Sequence, residues 1–221
     1  MGRRRGRNRP LTLVNVDPLN PTNRPSPVLV KELGMGGVRL VCREGVEGYV
    51  DLCHGQGLFV LGVIARESQG NVLGGICDAY QIGNEPDGEG ESSYSMSPNQ
   101  YLEEARIYRD TYPGLFMISA GLVSGQVGYW RQIGSQIGMM GYQGFAVHPY
   151  GKTAAQAEPL LKSYQSITPR LGLWVTEWHR PANEIPDWKA MLRRTSVADA
   201  WFCWAYGGWD LTPEHARALQ V

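Results

Sequence analysis

The chain has 221 residues, of which 43% are hydrophobic and 19% are charged, and its 21 basic residues balance 21 acidic ones. This is the composition of a soluble globular protein with one sizeable core, and nothing in it demands a second domain. No apolar run approaches the ~20 residues that a membrane-spanning helix needs, so we expect no membrane partner.

The first ten residues contain five arginines and no acid. We expect residues 1–10 to form a disordered basic arm in front of a single folded domain spanning 11–221. A contact of this arm with nucleic acid or another anionic surface is the alternative. We do not expect nucleic acid to be a partner. The apolar run 11–16 is followed at once by Asp17-Pro18, so no secretory signal peptide is expected. The expected location is the cytoplasm, or outside the cell by a route that needs no such signal.

The body of the chain alternates short apolar runs with helix-like segments. Eight runs predict strands, at 11–16, 38–42, 58–65, 79–83, 115–120, 144–147, 171–176 and 201–206. Well-patterned helices are predicted at 99–112, 127–140, 154–167 and 187–198, with a last one at 213–221. Three earlier helices, at 27–33, 46–55 and 71–76, are predicted to be short or poorly formed.

This alternation predicts an α/β protein with a parallel sheet covered by helices. Eight units is the count of a closed (β/α)8 barrel, so we expect a compact TIM barrel with short or missing early helices. An open doubly wound sheet is the alternative. That fold usually carries a Gly-rich phosphate turn after its first strand, whereas this chain has Asp17-Pro18-Leu19-Asn20 there.

The cysteines and histidines give no sign of a metal site. Cys42, Cys53, Cys77 and Cys203 lie in apolar surroundings without a CxxC pair, which predicts four buried free thiols rather than disulfides. The four histidines show no spacing typical of zinc ligands. We therefore expect neither a metal nor another cofactor.

Two predicted strands each end in a glutamate. Asn84-Glu85-Pro86 follows the fourth strand, and Thr176-Glu177-Trp178 follows the seventh. In a barrel of this type, residues just beyond the carboxyl ends of the strands share the face on which active sites are built. Hydrolysis of a glycosidic bond needs two opposed carboxyl groups, because one protonates the leaving oxygen and the other stabilises or attacks the sugar carbon. The sequence therefore predicts a carbohydrate site at this face.

The same face is predicted to collect polar and aromatic side chains suited to sugars. Beside the two glutamates, the set is Asp17, Arg39, Arg66, Glu67, Asn84, Ser124, His148, Tyr150, Trp178, His179, Trp204, Tyr206 and Trp209. Trp130 and Tyr94 are further candidates for sugar contacts. Trp174 is predicted to pack between its strand and a helix, and Trp188 and Trp201 are predicted to be core or helix contacts.

In this order and spacing, Asn84-Glu85-Pro86, His148-Pro149-Tyr150 and Glu177 resemble the active-site segments of clan A, a large superfamily of retaining glycoside hydrolases. Arg39, on the second predicted strand, resembles the arginine that supports that clan's nucleophile. The resemblance covers the second to eighth strands, but the chain is much shorter than usual clan members. We therefore expect substrate loops to be missing, so the substrate of this chain cannot be inferred from the family.

The resemblance implies a role for each residue. Glu85 would be the acid/base, protonated at rest with a raised pKa, and Glu177 would be the ionised nucleophile. Asn84 would bond the sugar 2-hydroxyl, and Trp204 or Trp209 would be the substrate platform. The implied substrate-binding set is Arg39, Asn84, His148, Tyr150, Trp204, Trp209 and His179.

The leading functional hypothesis is a monomeric retaining β-glycoside hydrolase acting on a poly- or oligosaccharide. A catalytically silent carbohydrate-binding barrel is the alternative. A barrel enzyme that uses two glutamates for proton transfer is a third, supported only by Gly207-Gly208 as a phosphate turn. Structural roles also stay open: Arg39 could pair with any nearby acid, and His148 could be a core imidazole bonded to backbone.

Overall fold

The structure is a computed structural model that describes residues 11–65, 71–88, 95–123, 127–202, 204–205 and 211–220. Several sequence predictions lie outside the described residues: the arm 1–10, Arg66, Glu67, Tyr94, Ser124, Cys203, Tyr206, Gly207, Gly208 and Trp209.

Eight parallel strands close into a barrel in sequence order, with β1 paired to both β2 and β8. They are β1 (Leu11–Asn15), β2 (Gly37–Val41), β3 (Phe59–Ile64), β4 (Ala79–Ile82), β5 (Met117–Val123), β6 (Gly144–His148), β7 (Gly172–Trp178) and β8 (Ala198–Trp201). The described α-helices are α1 (Pro27–Glu32), α2 (Glu47–Gly55), α3 (Pro98–Thr111), α4 (Val127–Met139), α5 (Ala154–Ile167), α6 (Ile185–Thr195) and α7 (Pro213–Leu219). The predicted (β/α)8 barrel is confirmed, and the open doubly wound sheet is wrong.

Three helices start in capping boxes, α3 at Ser97, α5 at Thr153 and α7 at Thr212. In each, the hydroxyl of the cap accepts the N–H of the residue three positions later, whose side chain bonds back to the N–H of the cap. Pro98 and Pro213 occupy the first helical turn, where no intrahelical donor is needed. These local signals explain why the predicted starts of α3, α5 and α7 agree with the structure to within one residue.

The connection from β3 to β4 contains no α-helix among its described residues, only a 3-10 turn at Leu73–Gly75. Gly74 and Gly75 have φ angles of +69° and +85°, a left-handed backbone that stops a right-handed helix from continuing. The weak helix predicted at 71–76 is thus reduced to one turn. Next to this connection, Cys42 and Cys77 are buried free thiols, as predicted, and so is Cys53 on α2.

The last strand differs most from its sequence prediction, because it spans Ala198–Trp201 instead of 201–206. Asp199 amid small residues gives this stretch the pattern of a helix end. Its carboxylate is nevertheless buried against α6, where it accepts hydrogen bonds from Lys189 Nζ (2.9 Å) and Trp178 Nε1 (3.2 Å). An acid can occupy a buried strand position when a helix supplies its partner.

The lower layer inside the barrel is apolar and consists of Leu13, Leu61, Ala79, Ile118, Ala146, Trp174, Ala198 and Ala200. The prediction that Trp174 packs against a helix is wrong, because its ring lies inside the barrel, 6.1 Å from the ring centroids of both Phe59 and Phe116. Trp188 and Trp201 are buried against Trp178, as predicted.

The upper layer is polar, because side chains of one face recur every second residue along a strand. Two positions beyond the inward residues of the lower layer come Asn15, Gln81, His148 and Thr176, and Arg39 takes the equivalent place on β2. Barrel alternation therefore gathers buried polar groups at the carboxyl ends of the strands.

Candidate active site

Arg39 is the centre of the polar layer and is 6% exposed. Its guanidinium donates hydrogen bonds to four side chains: Asn15 Oδ1 (2.7 Å), Glu177 Oε1 (2.8 Å), Asn84 Oδ1 (2.9 Å) and Gln81 Oε1 (3.0 Å). A buried cation is stable only when such partners surround it. The arginine thus holds the polar residues at the ends of β4 and β7 around one group.

Asn15 and Gln81 belong to this network, although sequence reasoning misses them. Asn15 Nδ2 donates to the carbonyls of Thr176 (3.2 Å) and Trp201 (2.9 Å), which joins β1 to β7 and β8. Gln81 Nε2 donates to the carbonyl of Gly83 at 2.9 Å and so orders the turn after β4. The signal that could have found them is an amide inside an apolar strand run, since a buried amide has to be hydrogen-bonded.

Glu85 has an unusual backbone conformation, with a φ of +45° in the left-handed region. Its N–H donates to the carbonyl of Gly121 at 3.0 Å, and its own carbonyl accepts the N–H of Gly88 at 3.0 Å. Residues in this region persist where their neighbours hold them, and they cluster at functional sites. The turn directs the Glu85 carboxylate towards His148 and Tyr150.

His148 is fully buried and touches the side chains of both glutamates. Its Nδ1 lies 2.7 Å from Glu85 Oε1, and its Nε2 lies 3.0 Å from Thr176 Oγ1 and 3.6 Å from Glu177 Oε1. The ring has room because position 121 is glycine: a Cβ there would lie 2.1 Å from Nε2. Gly121 is a further site residue that the sequence does not reveal.

The Tyr150 hydroxyl lies between the two carboxylates. It is 2.9 Å from Glu85 Oε1 and makes a very short hydrogen bond with Glu177 Oε2. One carboxylate oxygen of Glu85 and one of Glu177 lie within 4.8 Å of each other. Two carboxyl groups are ~5–5.5 Å apart in retaining glycosidases and ~6.5–9.5 Å apart in inverting ones, so this geometry suits the former.

The pKa of Glu85 lies below its ordinary value, so the expectation of a raised pKa is wrong for the resting site. Burial raises the pKa, but the hydrogen bond and charge of His148, the hydrogen bond of Tyr150 and the charge of Arg39 together outweigh burial. For Tyr150, burial and then the charges of the two glutamates raise the pKa far above its ordinary value. Glu85 is therefore ionised at rest, while the tyrosine keeps its proton.

A third carboxyl group, that of Asp87, lies in the turn that carries Glu85. Its Oδ1 accepts the N–H of Val123 at 3.2 Å, which ties this turn to the end of β5. Its Oδ2 is buried without a hydrogen-bond partner among the described residues. Burial raises the pKa of Asp87 to about 6 despite the bond from Val123, and the charge of Glu85 adds a smaller contribution.

We expect Asp87→Asn to be more favourable for the free energy of unfolding, relative to the original protein, at pH 8 than at pH 4. An acid whose pKa is higher in the folded than in the unfolded chain stabilises the fold while it is protonated. The free energy of unfolding therefore falls as the pH rises from the unfolded pKa, about 4, to the folded pKa, about 6. Asparagine removes this loss and keeps the acceptor for Val123. The free energy of unfolding, measured in urea, should favour the variant by about 1–3 kcal/mol more at pH 8 than at pH 4. Any cost of burying the amide nitrogen cancels in this difference, and a difference of zero would contradict the raised pKa.

A cavity of about 190 Å³ opens beside Glu177, between the upper ends of β1, β2 and β3. Its wall includes Asn23, Arg39, Asn84 and Phe202. The amides and the guanidinium can bond sugar hydroxyls, and the phenyl ring offers an apolar face. Among the described residues, this space is smaller than the ~300 Å³ at which typical pockets for drug-sized ligands begin.

Two predicted sugar contacts do not line this cavity among the described residues. Trp204 is partly buried against the outer core, and its N–H donates to the carbonyl of Asn15 at 2.9 Å. The ring of His179 packs against Trp201 and His215, with centroids 5.0 and 5.6 Å away. Contact of Trp204 or His179 with substrate stays a prediction.

Two weaker candidates have structural partners. Trp130 is fully buried and stacks on Phe145 with ring centroids 4.8 Å apart, so the prediction that it contacts sugar is wrong. Asp17 accepts a hydrogen bond from Arg43 Nη2 at 3.1 Å and is partly exposed. Contact of Asp17 with substrate stays a prediction.

Glu85, His148 and Glu177 could each offer a metal ion one ligand atom, since these atoms lie within 4.8 Å of one another. The Arg39 guanidinium already lies 2.8 Å from Glu177, however, and Tyr150 binds both carboxylates. A metal ion here would meet a fixed positive charge and replace these bonds. The donor set suits a neutral, hydroxyl-rich ligand better than a cation.

No helix among the described residues is both long enough and apolar enough to cross a lipid bilayer.

Several solved structures share this fold. A GH128 (subgroup VI) exo-β-1,3-glucanase from Aureobasidium namibiae is similar with a TM-score of 0.69 and 15% identity, over 94% of this chain and 90% of that chain. A GH39 β-xylosidase from Caulobacter crescentus is similar with a TM-score of 0.66 and 14% identity, over 97% of this chain and 71% of that chain. A GH128 (subgroup VII) oligosaccharide-binding protein from Trichoderma gamsii has a TM-score of 0.66 and 13% identity, over 96% of this chain and 92% of that chain. No family model and no curated protein matches the sequence. The chain therefore shares the (β/α)8 barrel fold of these proteins.

Proposed function

We propose that this protein is a retaining β-glycoside hydrolase that cleaves a poly- or oligosaccharide, with Glu177 as nucleophile and Glu85 as acid/base. The observation that carries the proposal is the pair of carboxylate oxygens within 4.8 Å of each other, with the Tyr150 hydroxyl within hydrogen-bond distance of both side chains. This short separation supports a retaining reaction, in which a sugar carbon approaches both groups.

Glu177 is suited to attack because its position and charge are fixed. Arg39 donates to its Oε1 and Tyr150 donates to its Oε2. In the first step a bond forms between a Glu177 oxygen and the anomeric carbon while the bond from that carbon to the leaving oxygen breaks. The leaving oxygen takes the proton of Glu85. In the second step Glu85 takes a proton from water, the water oxygen bonds to the anomeric carbon, and the bond from that carbon to Glu177 breaks.

Glu85 has to carry a proton when the substrate is bound. A sugar that displaces water from the site raises the pKa of a carboxyl group by desolvation, which opposes the bonds that favour its ionised form at rest. His148 Nδ1 and the Tyr150 hydroxyl both lie within hydrogen-bond distance of Oε1 of Glu85. We therefore assign proton transfer to Oε2. Once Glu177 is esterified, its negative charge is gone, the pKa of Glu85 falls, and Glu85 can act as the base.

Asn84 is placed to recognise the sugar beside the reacting bond. Its Oδ1 accepts hydrogen bonds from Arg39 (2.9 Å) and Gln81 (3.3 Å). The amide nitrogen of Asn84 can then donate a hydrogen bond to a sugar hydroxyl. We propose that this hydroxyl is the 2-hydroxyl. Structurally similar proteins include an exo-β-1,3-glucanase and a β-xylosidase, so β-1,3-glucans and β-xylosides are the first substrates to examine.

Carbohydrate binding without turnover is the second candidate. The observation that favours it is the contact of His148 Nδ1 with Glu85 Oε1 at 2.7 Å, which helps to lower the pKa of the group that has to act as the acid. An oligosaccharide-binding protein is also among the structures with the same barrel.

The stereochemistry of the first product distinguishes these proposals. The protein is incubated with β-1,3-linked glucose oligosaccharides and with aryl β-glucoside and β-xyloside, and the released sugar is followed by proton NMR before mutarotation. We expect the β-anomer to appear first. Early α-anomer would contradict a retaining mechanism, whereas calorimetric binding of the oligosaccharides without sugar release would support the binding protein.

A further inference from the structure

Cys42 and Cys77 lie beside the one strand connection that lacks a described α-helix. Cys42 directly follows β2, and Cys77 comes two residues before β4. Their Sγ atoms are 3.7 Å apart. An S–S bond is about 2.05 Å long, so the sulfurs need to approach by less than about 2 Å to form one.

The Cys42 and Cys77 side chains meet on the outside of the barrel, next to Gly62, which has no side chain. A Cβ on Gly62 of β3 would lie 2.9 Å from Cys77 Sγ and 3.1 Å from Cys42 Cβ. Glycine at this position therefore provides the space in which the two thiols touch. The third thiol of this region, Cys53, is hydrogen-bonded to Tyr49, and burial raises its pKa to about 12.

The two thiols differ in reactivity. Cys77 is 7% exposed and Cys42 is 0% exposed, so an oxidant reaches Cys77 first. The hydrogen bond between the two thiols lowers the pKa of Cys77, whereas that hydrogen bond and burial raise the pKa of Cys42. Because the thiolate is the reactive form, Cys77 is the attacking thiol and Cys42 the resolving one.

We propose that Cys42 and Cys77 are a peroxide-reactive thiol pair that closes to a disulfide and fixes the connection between β3 and β4 to the barrel. The Cys77 thiolate attacks one oxygen of hydrogen peroxide, an S–O bond forms, the O–O bond breaks, and the departing hydroxide takes a proton to become water. The Cys42 sulfur then forms the S–S bond while the S–O bond breaks, and the second hydroxide takes the Cys42 proton. Two thiols and one peroxide thus become one disulfide and two waters.

The crosslink would act on the connection between β3 and β4, whose described residues include no α-helix. The connection is held to the barrel by the N–H of Asn71, which donates to the carbonyl of Cys42 at 2.7 Å, and by the Tyr80 hydroxyl, which donates to the carbonyl of Val72 at 3.1 Å. A disulfide between residues 35 positions apart adds a covalent restraint and reduces the entropy of the unfolded chain. This proposal does not depend on glycosidase activity.

The experiment uses the full-length folded protein and hydrogen peroxide. After oxidation, free thiols are alkylated and the protein is digested without reduction for mass spectrometry. We expect a crosslinked pair of peptides that contain Cys42 and Cys77. We also expect a Tm higher by roughly 5–10 °C, reversed by dithiothreitol.

Variants separate this pair from the other thiols. Cys42→Ala and Cys77→Ala should abolish both the crosslink and the rise in Tm. Cys53→Ala is the matched control, because it removes a buried thiol of the same region and should leave both intact. Failure of the unmodified protein to crosslink, a crosslink to Cys53 or Cys203, or sulfinic acid at Cys77 in its place would overturn the proposal.

Discussion

Glu177→Ala is expected to lower kcat/KM on an aryl β-glycoside at least about 10³-fold, because the variant lacks the carboxylate that is proposed to bond the sugar carbon. The fold should survive. Arg39 keeps its hydrogen bonds to the neutral side chains of Asn15, Gln81 and Asn84 but loses its charged partner, so we expect the folded variant to have a lower free energy of unfolding. Steady-state kinetics with thermal unfolding of the same samples would separate lost chemistry from lost structure.

Glu184→Ala is the matched control for this loss. Glu184 precedes α6 and pairs with Arg180, with Oε2 2.6 Å from Nη2, on the chain segment that directly follows β7. Its removal costs a surface ion pair, which contributes little to stability. We expect unchanged turnover in this variant. Glu177→Ala protein that is folded and retains a tenth or more of the original kcat/KM would exclude Glu177 as the nucleophile.

Gly121→Ala is expected to damage both stability and activity, because the new methyl group would lie 2.1 Å from His148 Nε2. The ring is fully buried and cannot move aside without losing its contacts with Glu85 and Thr176. Overpacking of this kind costs about 1–3 kcal/mol in the free energy of unfolding. Displacement of the His148 ring should also lower kcat/KM about 10²-fold, since small errors in the position of a catalytic group have effects of that size. Urea unfolding and kinetics measure the two effects.

Gly138→Ala provides the comparison for a glycine without such a neighbour. Gly138 lies in α4, and a Cβ at this position would meet no atom within 4 Å. We expect this variant to be more stable by about 0.5–1 kcal/mol, because alanine favours the helix and restricts the unfolded chain. If Gly121→Ala behaved in the same way, the contact between Gly121 and His148 would have no structural importance.

The barrel could be predicted from the sequence because its signals are local. Short apolar runs alternate with helices, and caps such as Ser97 and Thr153 mark where two of the helices start. The grouping of Glu85, His148, Tyr150 and Glu177 could be expected on the same basis, because the carboxyl ends of parallel strands meet at one face of a barrel.

Other features depend on contacts between distant residues, which a linear pattern does not show. The strand position of Asp199 depends on Lys189 of α6, and the orientation of Trp174 depends on the space left inside the barrel by small neighbours such as Ala146. The lowered pKa of Glu85 is a balance in which burial loses to His148, Tyr150 and Arg39. Such balances require the distances between the groups.

The central claim is that Glu177 becomes covalently attached to the sugar while Glu85 exchanges protons. An aryl β-glycoside that carries fluorine at C2 forms the glycosyl-enzyme but slows its hydrolysis, so the intermediate accumulates. Intact mass and peptide mapping after incubation would show the result directly. We predict one added fluoroglycosyl group, located on the peptide that contains Glu177 and absent from the Glu177→Ala variant. Substrate turnover without labelling, or a label on another residue, would contradict the proposed mechanism.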